Sequence, residues 1–451
     1  MPLSPIYKAK AWEALKLASP IILGQLGQVL MGFFDTVQIG GLGPTYIAGA
    51  GFANSTYWVV NLLGLGILFA VSPLVSEALG EQHRWKSIGV LRSGAKIAVL
   101  VSALLMVLMY FTTKHIDIFR ETATTNALAI RYLHVINYST PFMLLYTLGS
   151  QFLNGMGRTK PGMIITVSGL ALNVFLNWVL IYGNLGAPAL SIEGTALATM
   201  ISRILMTVAI FIYIWRDKQV RQLQHEFANS PVHDKSYALQ IFKIGVPAGL
   251  QFFWEVAAFN AGQIMSGWIG DTYLAAHLIS IGLASITFMI IQGIASAGTI
   301  MTGYSFGAKD REGIRVAGNT IFILTALVEA VFAIFFITLK TFLPTLYTND
   351  AEVITIASSV LVFAAIFQVS DGLQAAAAGA LRGIQDVTYP AVIAFVSYWM
   401  VMIPACYLLA FKLGLGLKGI WIGFIVGLTL AAVLQLIRFR VKLKNIVFTE
   451  L

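Results

Sequence analysis

The sequence predicts an all-α polytopic membrane protein of twelve transmembrane helices in two parallel-repeat six-helix bundles, and three observations carry that expectation. Hydrophobic residues make up 58% of the 451-residue chain and charged residues only 11%, against roughly 25% charged in a soluble domain. Apolar runs long enough to cross about 30 Å of hydrocarbon recur along the whole chain, with no polar block large enough for a soluble domain. The same Gly, Pro and Arg punctuation then returns at near-constant spacing in the second half.

The runs are continuous rather than alternating, so they read as helices and not as barrel strands. Between polar breaks they predict helices over 14–41, 46–78, 88–113, 126–153, 161–184 and 192–215, then over 237–267, 273–305, 314–339, 351–381, 387–411 and 418–437. This divides the chain into an N-terminal bundle (1–215), a solvated cytoplasmic linker (216–236) and a C-terminal bundle (237–451). Lys8, Lys10 and Lys16 come early, but the first run is too long for a signal peptide and lacks a clear cleavage site, so it reads as a retained span.

Loop charges set the orientation. With the N-terminus inside, the inner segments hold Arg84, Lys86, Arg92, Arg158, Lys160, Arg216, Lys218, Arg221, Lys235, Lys243, Lys309, Arg311, Arg315, Arg382 and the tail Arg438, Arg440, Lys442 and Lys444. The outer loops hold only Lys114, Arg120, Lys340, Lys412 and Lys418. Both termini are therefore expected in the cytoplasm of a multi-pass cell-membrane protein. Topology also accounts for the net charge of +9 without a nucleic-acid partner. Cys406 is the single cysteine, which excludes an intramolecular disulfide.

Pro20 recurs as Pro247, Gly43-Pro44-Thr45-Tyr46 as Gly270-Asp271-Thr272-Tyr273, and Gly80 with Arg84 as Gly307 with Arg311, all 227 residues apart. The spacing then drifts: Leu153 and Gly155 match Leu381 and Gly383, Pro161 matches Pro390, and Gly194 matches Gly419. Six spans per half give both halves one orientation, a transporter plan with its substrate site between repeats near the midplane.

Within these runs lie polar residues that cost about 2.5 to 3.5 kcal/mol each at bilayer depth when charged. Gln25, Gln28, Gly32 and Asp35 share one face of the first helix. Gln251 and Glu255 are one turn apart on the seventh, Gln368, Asp371 and Gln374 form a polar edge on the tenth, and Asn173 and Asn177 pair at i, i+4 on the fifth. Glu255 lies 12 residues past Lys243 and Asp371 lies 11 before Arg382. Both are thus about 17 Å deep and able to meet, whereas Asp35 lies about 10 Å nearer the outside, in another site. Such carboxylates suit cation coordination or proton carriage; a protonated acid bonding two helices is the structural alternative, as amide bonding between helices is for the asparagines. Glu329 and Arg203 also fall near mid-span, and their pairing stays open.

Two motifs lack their context. Gly303-Tyr304-Ser305-Phe306-Gly307 matches a nucleophile elbow but ends a hydrophobic helix. Gly414, Gly416 and Gly419 have a dinucleotide-binding spacing without a βαβ unit. No Walker A sequence or zinc-binding His pair is present, so neither ATP coupling within the chain nor a cofactor is expected.

Pro20, Gln25 and Asp35-Thr36-Val37 before Gly40-Gly41, together with Gln368-Val369-Ser370-Asp371-Gly372-Leu373-Gln374, resemble the multidrug and toxic compound extrusion family. The resemblance continues through Gly155 to Pro161, Asn173 to Gly183 and Leu381-Arg382-Gly383, and the Glu255 and Asp371 pair is similar to its bacterial NorM branch. It implies a V-shaped pair of bundles around a central cavity, a monomer in the bacterial inner or plasma membrane, exporting organic, often cationic aromatic drugs in exchange for Na⁺ or H⁺. It implies a cation site, Na⁺ included, at Glu255 and Asp371, and a second cation or proton site at Asp35, Asn173 and Asn177. Gln25, Gln28, Gln251, Phe367, Gln368 and Gln374 are candidate cavity-lining residues. Phe367 stands one turn before Asp371 where NorM relatives are expected to carry tyrosine, which removes a ring hydroxyl there. A flippase for lipid-linked oligosaccharides of related architecture is the alternative; it calls for basic residues in the cavity, whereas the deep charges here are mainly acidic. An intramembrane enzyme and a passive channel fit the repeat and the acids less simply.

Overall fold

The computed structural model describes residues 5–81, 83–119, 121–230, 237–446 and 448. Arg120, Lys235 and the end of the expected linker, 231–236, lie outside the described residues. The first half consists of α1 (Pro5–Gly40), α2 (Pro44–Leu68), α3 (Val71–Gly80), α4 (Lys86–Lys114), α5 (Ala123–Asn137), α6 (Thr140–Gly155), α7 (Lys160–Tyr182) and α8 (Ser191–Arg216). After α9 (Lys218–Ala228) come α10 (Ala238–Ile269), α11 (Asp271–Gly307), α12 (Arg311–Thr338), α13 (Ala351–Gly383), α14 (Thr388–Phe395), α15 (Ile403–Tyr407) and α16 (Gly416–Asn445). Among the described residues there is no strand.

Among the described residues, ten helical stretches are long and apolar enough to cross a membrane, with α2 and α3 sharing Pro44–Gly80 and α14 and α15 sharing Thr388–Lys412. The other two expected spans have local reasons for falling short. α5 and α6 are 15 and 16 residues long, broken at Tyr138 and Ser139 just before Pro141, which has no backbone N–H to continue a helix. α10 carries Gln251, Glu255, Asn260 and Gln263 along its length. With these two the described residues account for all twelve expected spans.

The repeat is visible in the backbone. Gly43 and Gly270, 227 residues apart, precede α2 and α11 at φ 115° and 152°, a region that side chains disfavour. Each lets two long helices meet at a sharp turn.

The chain forms two compact units. One unit is Leu23–Gly249; the other holds the chain up to Ile22 and from Leu250 onward. These borders are again 227 residues apart, shortly after Pro20 and Pro247 inside α1 and α10. The start of α1 packs with the second half, Ala14 and Ala18 sharing a core with Ile291, Ile294, Ile321 and Ala376. Reciprocally, Gly249 of α10 lies against Gly66, where a Cβ would come 3.3 Å from the Gly66 Cα.

Part of that linker is structured. α9 is capped by Asp217, whose carboxylate accepts from the Val220 N–H at 3.0 Å, and it buries Val220, Leu223 and Phe227. Phe227 meets Trp85 at 6.1 Å between ring centroids, with the Arg92 guanidinium 4.8 Å over its face. The expected solvated connection is, over 218–228, an amphipathic helix fixed to its own bundle.

Candidate functional site

In the unit Leu23–Gly249, the acid comes from α1 and its partners from α7 and α8. Asn173 and Asn177 are one turn apart on α7 and fully buried, so the same helix face presents two amides. Asn177 Nδ2 donates to Asp35 Oδ1 at 2.5 Å and to Asn173 Oδ1 at 3.4 Å. Thr199 Oγ1 on α8 donates to Asp35 Oδ2 at 3.2 Å and accepts from Asn173 Nδ2 at 3.2 Å. Both oxygens of the half-buried Asp35 thus accept a hydrogen bond from an uncharged donor.

Arg203, one turn beyond Thr199, supplies positive charge to this unit. Its guanidinium donates to Ser139 Oγ at 2.6 Å and to Tyr57 Oη at 2.9 Å, and lies 5.2 Å over the Tyr57 ring. Ser139 stands at the break between α5 and α6. The expected acid face of α1 is only partly inward: Gln25 is half-buried and Gln28 exposed.

In the other unit the acids come from three helices. Glu255 of α10 is 5% exposed, Asp371 of α13 is 6% exposed and Glu329 of α12 is 1% exposed. Glu255 and Asp371 are electrostatic neighbours, and Glu255 also feels Arg382. Gln251, Gln368 and Gln374 are buried with them. Thr287 Oγ1 of α11 donates to Gln368 Oε1 at 3.2 Å. Asp371 Oδ1, Glu329 Oε2, Gln368 Nε2 and Gln374 Nε2 are buried without a hydrogen-bond partner.

Phe367 is core. Its ring meets Trp421 at 5.3 Å and Phe259 at 5.8 Å, in a cluster that also holds Phe424. One phenol of this unit is Tyr398, fully buried and without a partner for its hydroxyl, which is an electrostatic neighbour of Glu255 and Asp371. It lies in the π-helical stretch Val396–Met402 between α14 and α15, a distortion that recurs at functional sites.

The family resemblance grouped Asp35 with Asn173 and Asn177, and depth along the helices allowed Glu255 to meet Asp371. Sequence reasoning missed Thr199 and Tyr398 and left Glu329 unplaced. Arg203 and Glu329 belong to different units, and Arg203 is held by Tyr57 and Ser139. Among the described residues, no three His, Cys, Asp or Glu side chains are gathered closely enough to hold a metal ion. Two buried carboxyls that are electrostatic neighbours, Glu255 and Asp371, are chemically able to hold a hard cation. The same carboxyls are equally suited to hold a proton.

Fold and acids together define a class: a duplicated twelve-helix membrane protein with carboxylates inside each half. The chain belongs to the MatE family, whose model matches residues 20–179 and 247–408. The two matched stretches begin at Pro20 and Pro247, the repeat found in the sequence. The chain is 34% identical over 439 residues to the multidrug resistance protein NorM of Vibrio vulnificus strain YJ016, covering 96% of each. It is 35% identical over 436 residues to that of Aliivibrio fischeri, covering 95% of this chain and 94% of the relative. Among solved structures it is similar to the eukaryotic MATE transporter AtDTX14, with a TM-score of 0.87 at 18% identity over 98% of each chain. An outward-facing multidrug resistance MATE family transporter has a TM-score of 0.85 at 18% identity over 96% of each. At such identities the structural likeness speaks for the fold alone.

Proposed function

We propose that this chain is a secondary multidrug exporter that moves organic, often cationic aromatic compounds out of the cell by alternating access, driven by inward Na⁺ or H⁺. The observation that carries this reading is the Glu255 and Asp371 pair, two buried acids that are electrostatic neighbours, with one Asp371 oxygen lacking a partner, in a chain that covers 96% of a multidrug resistance relative. The protein works as a monomer without a cofactor in the bacterial inner or plasma membrane, both termini cytoplasmic as the loop cations require.

Coupling follows from differential affinity. A cation or proton that binds the acid pair more tightly in one state shifts the populations toward it, and a drug that prefers the other state is released in exchange. Neutralising the carboxylates removes the cost of burying two like charges, so the pair is a natural load for this cycle.

The test is efflux of a fluorescent organic cation from proteoliposomes under imposed Na⁺ or pH gradients, comparing wild type with Asp371→Asn and Glu255→Gln. Loss of gradient-driven transport in both is expected. Unchanged transport in both would sink the coupling role, and the gradient that drives the wild type identifies the ion.

A further inference from the structure

Away from the acids, a group of cations gathers at the end of α8 that the loop charges assign to the cytoplasm. An open cavity of about 380 Å³ lies there, lined by Arg158, Tyr213, Arg216, Asp217, Lys218 and Gln219, all within the unit Leu23–Gly249. Its three cations share one carboxylate, and that carboxylate is already engaged. Asp217 Oδ1 accepts from the Val220 N–H at 3.0 Å, and Oδ2 is ion-paired with the Arg158 guanidinium. Arg158 also donates to Gln219 Oε1 at 2.8 Å, which ties the connection between α6 and α7 to the start of α9. Arg216 and Lys218 are exposed and, among the described residues, have no anionic partner. The Arg221 guanidinium joins them by donating to the Arg216 carbonyl at 3.0 Å. Like charges gathered this way repel, and an anion with several acceptor oxygens, such as a phosphate, relieves the repulsion.

The helix surface that leads to the cavity is apolar. Leu205, Val208, Ile212 and Trp215 of α8 are exposed and stay within about 80° of arc, so they form one stripe. Arg216, one turn past Ile212, carries the stripe into the cavity. Leu205 and Arg216 are about 16 Å apart along the helix, close to one leaflet's share of a hydrocarbon core of about 30 Å. The Trp215 indole, next to the cations, suits the level of the headgroups. On the other side α9 buries Val220, Leu223 and Phe227, which fixes the backbone that carries Lys218. A soluble phosphate would use the cavity alone, whereas a phospholipid uses cavity and stripe together.

We propose that this cavity binds the headgroup of an anionic phospholipid, with the phosphate between Arg216 and Lys218 and the acyl chains along Leu205, Val208 and Ile212. Basic loops attract anionic bilayers in a diffuse way. Here the cations surround a cavity in which the only carboxylate is neutralised internally, so one lipid is held in one place. A lipid seated there joins the end of α8 to α9, and through Arg158 to the connection between α6 and α7. The site is independent of the acids and of the ion that loads them.

The experiment is native mass spectrometry of the full chain in detergent with equal amounts of phosphatidylglycerol and phosphatidylcholine of matched acyl chains. Wild type is expected to retain one phosphatidylglycerol in preference to phosphatidylcholine. Arg216→Gln combined with Lys218→Gln is expected to lower the affinity for phosphatidylglycerol at least about tenfold and to leave that for phosphatidylcholine unchanged. Arg216→Lys, which keeps the charge, is expected to stay nearer wild type. Arg440→Gln combined with Lys444→Gln removes two exposed cations from the end of α16 and is expected to leave the preference intact. No preference in wild type, or a preference that survives the α8 double variant, overturns the inference. Equal loss in the α16 double variant also overturns it, reducing the effect to diffuse attraction. Glycerol 3-phosphate, the headgroup without chains, is expected to bind at least about a hundredfold more weakly. Binding as tight as that of phosphatidylglycerol would make this a soluble-phosphate site and overturn the lipid assignment.

Discussion

The two units carry acids in opposite hydrogen-bonding conditions. Asp35 receives a donor on each oxygen, Asn177 at 2.5 Å and Thr199 at 3.2 Å, and those donors are tied to Asn173. In the other unit Asp371 and Glu329 each keep a buried oxygen without any donor. A carboxylate fed by amides and hydroxyls has its charge compensated by fixed dipoles. A carboxyl oxygen buried without a donor has no such compensation. The contrast arises within one repeat: a shift of 227 puts Asp35 opposite Gly262, where a Cβ would run into the Phe424 ring, so the second half has an aromatic side chain against the corresponding place. Duplication supplied the scaffold, and the chemistry diverged on it.

The sharpest way to break this comparison is to neutralise one acid in each unit. Asp371→Asn is expected to lower gradient-driven efflux at least about tenfold, about 1.4 kcal/mol, while leaving thermal stability unchanged or raised because a buried charge is removed. Asp35→Asn is expected to lower stability, since the new amide turns one of two acceptors into a donor facing donors already in place. Initial efflux rates and melting temperatures of both variants in detergent check this. Equal signs of the stability change would erase the distinction between the sites. Next in size, Asn177→Ala removes the 2.5 Å donor to Asp35 from a fully buried position. It is expected to cost about 1–3 kcal/mol, read from denaturation in mild detergent.

Much of this was legible in the sequence because hydrophobicity and spacing are one-dimensional properties. The spans followed from apolar runs, the repeat from punctuation, and the Asn173 and Asn177 pair from i, i+4 spacing. Glu255 met Asp371 because distance from the helix ends fixes depth at about 1.5 Å per residue. Contacts between distant segments left no such trace. Thr199 lies in a small-residue start of α8 where threonine is also ordinary packing, and Tyr398 beside Trp399 reads as an interfacial aromatic although it is fully buried. The unit borders inside α1 and α10 follow packing that composition does not encode. α9 was readable: Val220, Leu223 and Phe227 follow a helical period, obscured by the charged residues between them.

Gly372→Ala probes the crowded side of the comparison. Its methyl group would meet Glu329 Cγ and Oε1 at 2.8 Å, so overpacking is expected to cost about 1–3 kcal/mol. The cost should shrink in a Glu329→Ala background, giving a coupling energy of at least about 0.5 kcal/mol in a double-mutant cycle of thermal stabilities. Additive effects would separate Gly372 from Glu329 and weaken the case that this glycine admits the third acid.

The smallest expected effects come from two hydroxyls, and they test the comparison on its own terms. Thr199 serves Asp35 and Asn173 at once, so Thr199→Val orphans a carboxylate oxygen and an amide while keeping the volume. A loss of about 0.5–1.5 kcal/mol is expected. Thr325, one turn before Glu329 on α12, has a fully buried hydroxyl with no partner. Thr325→Val therefore removes an uncompensated polar group and is expected to be neutral or stabilising by up to about 1 kcal/mol. Melting temperatures measured side by side give the answer through their difference in sign. If Thr325→Val instead destabilised as Thr199→Val does, its hydroxyl would have to make a hydrogen bond, and the contrast between a partnered and an unpartnered threonine would fall.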